Sequence, residues 1–134
     1  MRAALKTAMP MEDARNKRIA VIGASDNPEK YGHKIFKSLL NAGFNVIGIN
    51  INGGETLGKK LYRSISDLDI IPDIVLTVVA PEITEKIVEE CFLVGVKEIW
   101  MQPGSESDNA INKAKKLGIK TTSNACFMIE AKIW

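Results

Sequence analysis

Residues 19–25 read Ile-Ala-Val-Ile-Gly-Ala-Ser, a short apolar run that ends in a glycine and a serine. Four consecutive apolar residues predict a strand that is buried on both faces, as in a sheet with helices packed on either side. The glycine favours a tight turn, and the apolar residues of 29–42 then recur at helical spacing. This stretch therefore predicts a first strand, a turn and a first helix.

The rest of the chain repeats this alternation of strand and helix. A turn is predicted at Asn52-Gly-Gly54, a helical turn at residues 64–68 with Ser64 or Ser66 as its cap, and a last turn or tail at 126–134. Strands are predicted at 44–51, 74–79, 97–101 and 119–122, and helices at 81–94 and from Ser105 or Ser107 to 117. The alternation implies right-handed crossovers, and hence a doubly wound α/β fold: a Rossmann-like, mainly parallel sheet of about five strands with helices on both faces.

Length and composition describe an ordinary globular domain. The chain has 134 residues, 46% of them hydrophobic and 25% charged, so we expect an N-terminal extension over residues 1–17 and a single domain over 18–134. No apolar run reaches the length of a membrane span, and residues 1–17 lack the apolar segment of a secretory signal. A cytoplasmic protein without a membrane partner is predicted.

Charge and cysteine content exclude several functions. The net charge is +2 and the signs alternate along the chain, which argues against a nucleic-acid partner. Cys91 and Cys126 form no CxxC motif, so a cysteine zinc site is excluded and no metal is expected. One apolar face of the predicted helix 81–94 carries Ile83, Ile87, Val88, Cys91 and Phe92, so Cys91 should be buried there and inert. Cys126 follows the last strand, where packing is a commoner role than reactivity. The lone His33 has no relay partner and is expected to be structural or at the surface.

Ligands of doubly wound sheets bind outside the carboxyl ends of the strands. After the first strand, Gly23 would let the backbone approach a phosphate, with Ser25 adding a hydroxyl donor and Lys30 a positive charge. A capped turn with nothing bound fits this loop equally well. After the third strand, Val79-Ala80-Pro81 offers an apolar ledge for an adenine, although, taken alone, the segment is better explained as a plain helix start with proline at its first position.

Two common nucleotide motifs are missing. The dinucleotide pattern GxGxxG would place glycines where Ser25 and Pro28 stand, and the second strand ends in Asn50 and not in an acidic residue. The Walker pattern is also absent. An NAD(P)-binding domain or small reductase therefore remains an alternative function. A third hypothesis is an interaction subunit whose partner supplies the catalytic groups.

Read together, these segments resemble the small stand-alone CoA-binding proteins and, more distantly, the CoA-binding domain of the succinyl-CoA synthetase α subunit. The resemblance extends from about Arg18 to Glu130, with the segments in the family's order. The matching segments are 19–25, 30–32, 44–50, 57–62, 72–75, 79–81, 99–102 with Gly104, and 124–126. The resemblance implies a Rossmann-like domain that holds coenzyme A or an acyl-CoA, and a homo-oligomer or a protein partner is compatible with it.

The resemblance also implies roles for individual residues. By this resemblance, Gly23, Ala24 and Ser25 form the diphosphate loop, and Lys30 would hold a phosphate. Asn50 would lie beside the ribose or a phosphate, and the adenine would be flanked by Val79, Ala80 and Pro81. The pantetheine arm would be bordered by Gln102 and Gly104, and its thiol end would lie near Cys126. The chain departs from the family where Asn52-Gly-Gly-Glu55 replaces a Pro-Asn-Pro segment, and where Asn124 and Ala125 replace an acidic and a basic residue before the final cysteine. The synthetases take their catalytic histidine from a separate domain. Ligase activity is therefore not implied, and we expect a binding protein without catalytic machinery.

Overall fold

The computed structural model describes residues 14–134, so residues 1–13 of the predicted N-terminal extension lie outside the described residues. The strands are β1 (Arg18–Ile22), β2 (Asn45–Ile49), β3 (Glu55–Thr56), β4 (Lys59–Tyr62), β5 (Ile74–Thr77), β6 (Glu98–Met101) and β7 (Lys120–Thr122). The helices are α1 (Tyr31–Asn41), α2 (Pro81–Val94), α3 (Asp108–Lys116) and α4 (Phe127–Glu130), with a 3₁₀ turn at Ile65–Asp67.

The strands form one sheet with β1 at its centre. The sheet has seven strands in the order β3-β4-β2-β1-β5-β6-β7, and every neighbouring pair is parallel except β3 with β4. The chain runs outward from β1 through β2, and then returns to β5 on the other side of β1. The loops after β1 and β5 therefore diverge at the carboxyl edge, where such folds bind ligands. The doubly wound α/β prediction is confirmed, with two more strands than the five expected.

The continuous apolar run of β1 is explained by the two cores that it joins. Ile19 and Val21 belong to a core under α1 and α4, and Ala20 and Ile22 to a core under α2 and α3. All four are at most 5% exposed. A strand with helices on both faces needs apolar residues at every position, because successive side chains point to opposite faces.

The two additional strands form a hairpin in a segment for which the sequence predicts no strand. Leu57 and Gly58 connect β3 to β4 with φ angles of 54° and 75°, and positive φ at both central residues is the requirement of a type I′ turn. Strands of two and four residues are too short for a periodic signal. Ser64 precedes the 3₁₀ turn, but its hydroxyl contacts Ser66 Oγ at 2.7 Å and caps nothing.

One predicted helix face is wrong in part, since Val88 and Cys91 are buried as predicted but two of its other residues are not. The sequence predicts that α2 buries Ile83 and Phe92, yet these side chains are 46% and 50% exposed. The buried stripe is instead Thr84, Val88 and Cys91. Thr84 takes an inner position because its hydroxyl can donate to the Ala80 carbonyl at 3.4 Å. Ile83 is left free to line a cleft at the carboxyl edge.

Of the two serines predicted to begin α3, one is its cap. Ser107 caps α3 by accepting a hydrogen bond from the Ala110 N–H at 3.0 Å, whereas Ser105 bonds to Thr77 Oγ1 at 2.9 Å inside the protein. Gly95 ends α2 and Gly118 follows α3, both with positive φ. Among residues 14–134, no helix is both long and apolar enough to cross a membrane.

Candidate functional site

The loop after β1 is built on two glycines whose positions admit no side chain. Gly23 has φ +107° and donates its N–H to the Ile49 carbonyl at 2.9 Å. A Cβ added to it would lie 2.3 Å from the Val78 oxygen. A Cβ on Gly32, in the first turn of α1, would lie 1.8 Å from the Gly23 oxygen. The start of α1 therefore packs directly against the backbone of this loop.

Hydrogen bonds fix the carbonyls of the same loop. Asn50 Nδ2 donates to the Ala24 carbonyl at 2.9 Å, and His33 Nδ1 donates to the Ser25 carbonyl at 2.8 Å. His33 is expected from the sequence to be structural or at the surface, and its burial excludes the surface position. Within residues 14–134, the N–H groups of Ala24 and Ser25 donate no hydrogen bond. The loop therefore offers two uncommitted N–H donors to a bound anion.

Lys30 adds positive charge beside this loop. It is exposed, immediately precedes α1, and makes no capping bond with its side chain. The first turn of α1 contains no acidic residue, and the helix has 11 residues. The positive end of the helix dipole and the lysine ammonium therefore act on the same region, which is the environment that a phosphate prefers.

An apolar cleft of about 430 Å³ opens between the loops that follow β1, β2 and β5. Its apolar walls include Ile22, Ile49, Val79, Ile83 and Ile87, and its polar lining includes Asn50, Arg63, Lys86 and Glu90. The sequence prediction missed the contribution of α2, because it assigned Ile83 and Ile87 to the helix's inner face. The sequence did contain a signal that some of these residues are exposed, because α2 has more apolar residues than one helix face can bury.

A second cleft of about 300 Å³ lies on the other side of the loop after β5. Val79 lines both clefts. Gly104 lines the second cleft with Ala80, whereas Pro81 begins α2 and lines neither cleft. The two clefts together form a path over Val79, from the apolar cleft at the end of β2 to Tyr31 at the start of α1.

Tyr31, at the far end of this path, contacts Gln102 and Cys126, which line neither cleft. The Gln102 side chain is fully buried, its Oε1 accepting from the Phe127 N–H at 2.7 Å and its Nε2 donating to Cys126 Sγ at 3.5 Å. Burial raises the pKa of Tyr31, Cys126 raises it further through charge and a hydrogen bond, and a hydrogen bond from Gln102 lowers it. Gln102 thus positions the half-buried Cys126, and Tyr31 contacts both.

The chain matches a known protein family over most of its length. A family model described as "CoA binding domain" matches residues 17–132. The chain belongs to the CoA-binding domain family. It is 30% identical to the uncharacterized protein YneT of Bacillus subtilis over 115 residues, which cover 86% of this chain and 85% of YneT. The sequence-based resemblance to this family is confirmed.

Larger enzymes and solved structures match as well. The chain is 36% identical over 89 residues to the α subunit of an ADP-forming acetate–CoA ligase of Pyrococcus furiosus. The match covers 62% of this chain and only 19% of the ligase subunit. A conserved hypothetical protein of Pyrococcus furiosus has a similar structure, with a TM-score of 0.81 and 38% identity over 85% of this chain and 98% of that one.

Proposed function

We propose that this chain binds coenzyme A or an acyl-CoA along the carboxyl edge of its sheet. The observation that carries the proposal is the pair of clefts that share Val79, next to a glycine loop with two uncommitted N–H groups. An elongated ligand with a flat ring, phosphates and a flexible arm needs an apolar cleft, anion-binding donors and a second cleft arranged along one line. Membership of the CoA-binding domain family supports the choice of ligand.

The residues of each segment fit a different part of this ligand. The 430 Å³ apolar cleft would take the adenine, with Val79 and Ile83 against its faces. The N–H groups of Ala24 and Ser25, with Lys30, would hold the diphosphate. Ala80 and Gly104 would border the pantetheine arm, and Tyr31 and Cys126 its thiol end.

Asn50, Gln102 and Pro81 take supporting roles in this proposal. Both ends of the Asn50 amide are bonded within the protein, to Ala24 and Asn52, so Asn50 shapes the loop beside the ligand. Gln102 is fully buried and holds Cys126 in place. Pro81 sets the start of α2.

We further infer that the chain holds its ligand without catalysing a reaction. Coenzyme A supplies a thiol that carries acyl groups. The imidazole of His33 is buried in its bond to the Ser25 carbonyl. The group that would face the thiol end is the Tyr31–Gln102–Cys126 cluster, in which burial raises the pKa of Tyr31 and so disfavours the phenolate that could act as a base. The acyl-transfer chemistry of the larger relatives is therefore not proposed for this chain.

Calorimetric titration tests the ligand. Coenzyme A should bind with saturation, and dephospho-CoA, NAD and ATP serve as comparisons. Val79→Glu places a carboxylate in the shared wall and should weaken coenzyme A binding by about 100-fold, since it blocks both clefts and repels the phosphates. Leu93→Glu is the matched control, because Leu93 is also on the α2 side of the sheet but is 82% exposed and lines neither cleft.

Lys30→Ala should weaken binding by about tenfold, and more at low salt than at high salt. Absence of saturable coenzyme A binding would overturn the proposal. Tighter binding of NAD than of coenzyme A would replace the ligand with a dinucleotide while keeping the site.

A further inference from the structure

The opposite edge of the sheet contains a second cleft that the proposed function does not use. It has a volume of about 670 Å³ and lies where β5, β6 and β7 begin. Lys17, Lys97 and Lys120 line it together with Asp73 and Glu98. With strands of about four residues between them, the two edges are roughly 13 Å apart along the sheet.

Glu98 is the unusual group in this cleft. It is the first residue of β6 and is only 6% exposed. Its Oε2 atom has no hydrogen-bond partner within residues 14–134. Burial raises the pKa of Glu98, although the charges of Lys120 and Lys17 act in the opposite direction. A buried acceptor without a donor costs stability, so the structure leaves a position where a donor would be stabilised.

The other acidic group in the cleft is already engaged. Asp73 Oδ2 accepts a hydrogen bond from the Arg18 N–H at 2.8 Å. Lys97 and Lys120 are exposed. Lys120 is the residue opposite Glu98 in the parallel β6–β7 register, so the two side chains lie on the same face of the sheet. Three ammonium groups against two carboxylates make the cleft attractive to an anion.

We propose that this cleft binds a small organic anion that carries a hydrogen-bond donor next to its acid group. The lysines would hold the anionic group, and the donor, a hydroxyl or an ammonium, would bond to Glu98 Oε2. A metal ion is a poor occupant, because three ammonium groups line the cleft and, within residues 14–134, no three potential ligand side chains cluster as a metal site would require.

Succinate, malate and aspartate form a matched series for testing this site. They share the four-carbon dicarboxylate and differ in one substituent, which is hydrogen, hydroxyl or ammonium. Calorimetry with the full chain should show malate or aspartate binding about tenfold more tightly than succinate, the factor of one charge-assisted hydrogen bond. The tighter of the two identifies the donor. Equal affinities for all three, or no binding of any at millimolar concentration, would overturn the proposal.

Variants of Glu98 and Lys120 separate the two parts of the recognition. In Glu98→Leu, malate and aspartate should bind no more tightly than succinate, and succinate should still bind. Lys120→Ala should weaken the binding of all three ligands. If Glu98→Leu does not fold, Glu98→Gln serves instead, since its amide oxygen still accepts from a hydroxyl but lacks the charge that attracts an ammonium. The proposal would also be overturned if malate or aspartate kept its higher affinity over succinate in Glu98→Leu, or if aspartate kept it in Glu98→Gln.

Two further measurements place the occupant. Amide NMR shifts on adding malate or aspartate should concentrate at residues 96–98 and 119–120, and the affinity should be unchanged in the presence of coenzyme A. Shifts at residues 23–25 and 78–80 instead would contradict a second site. Sedimentation that shows a dimer lost in Glu98→Leu would mean that a second copy of the chain, and not a small anion, supplies the donor. Failure of coenzyme A binding leaves all these outcomes unaffected.

Discussion

The two edges of the sheet use polar groups in opposite ways. At the carboxyl edge, side chains such as Asn50 and His33 bond the loop carbonyls, and the surfaces left open are apolar walls and backbone N–H groups. At the amino edge, the loops are short and the cleft is lined by lysines around a buried carboxylate. The first edge is organised by backbone geometry and the second by charge. A substitution in the packed glycine loop of the first edge should therefore act on stability through sterics, and one at Glu98 on the second edge through pH.

The largest effect is expected where the carboxyl edge is most tightly packed. Gly32→Ala puts a methyl group 1.8 Å from the Gly23 oxygen, a contact that only backbone movement can relieve. We expect a loss of about 3 kcal/mol in the free energy of unfolding, although alanine in a helix is ordinarily favoured over glycine by about 1 kcal/mol. Denaturant unfolding measures this loss.

Gly43→Ala is the control for this substitution. Gly43 has φ +84° but open space around its Cβ position, so only conformational strain applies, at about 1 kcal/mol. A Gly32→Ala protein as stable as the wild type would show that α1 does not pack on the loop as the structure has it. If Gly32→Ala does fold, its affinity for coenzyme A reports whether the loop must keep this shape.

The next prediction concerns the amino edge and its dependence on pH. Burial raises the pKa of Glu98 above its ordinary value of 4.5, so between these two values the folded protein binds a proton that the unfolded chain has lost. The contribution of Glu98 to stability is therefore greatest below pH 4.5 and declines as the pH rises, until the folded-state carboxyl is also ionised. Lys120 and Lys17 limit the decline, because they favour the ionised form.

Glu98→Gln removes this titration and isolates its effect. The variant should be more stable than the wild type at about pH 8, by on the order of 1 kcal/mol, and the difference should shrink in acid. Chemical unfolding at several pH values measures it, with Glu89→Gln as the control. Glu89 is an exposed partner of Lys113, and its pKa is lowered by that contact, so its replacement should not raise stability at high pH. A pH-independent difference for Glu98→Gln would contradict the prediction.

The contrast between the edges also explains what the sequence could predict. The apolar run of residues 19–22, the glycine after it and the alternation of strands and helices determine the sheet and the position of the carboxyl edge. These are local signals, so the fold and the first loop were predictable. Ile83 and Tyr31 were not identified as site residues, because their exposure depends on how α2 and α1 rotate against the sheet. Glu98 carries no local signal either, since a single acidic residue before Ile99 is typical of an exposed strand start.

The smallest predicted effect tests whether a ligand at the carboxyl edge reaches its far end. Cys126 is half-buried near Tyr31, whereas burial, with the charge of Glu90, raises the pKa of Cys91 to about 12. At about pH 8 such a thiol is ionised in about one molecule in ten thousand, so iodoacetamide should alkylate Cys126 and spare Cys91.

Coenzyme A should slow the labelling of Cys126 several-fold, because its arm would cover the sulfur, and malate at the amino edge should leave the rate unchanged. Mass spectrometry of labelled peptides follows both cysteines. Protection by coenzyme A but not by ADP, which lacks the arm, would orient the ligand along the path over Val79. Equal protection by both would place the arm away from Cys126 and assign the cysteine a packing role.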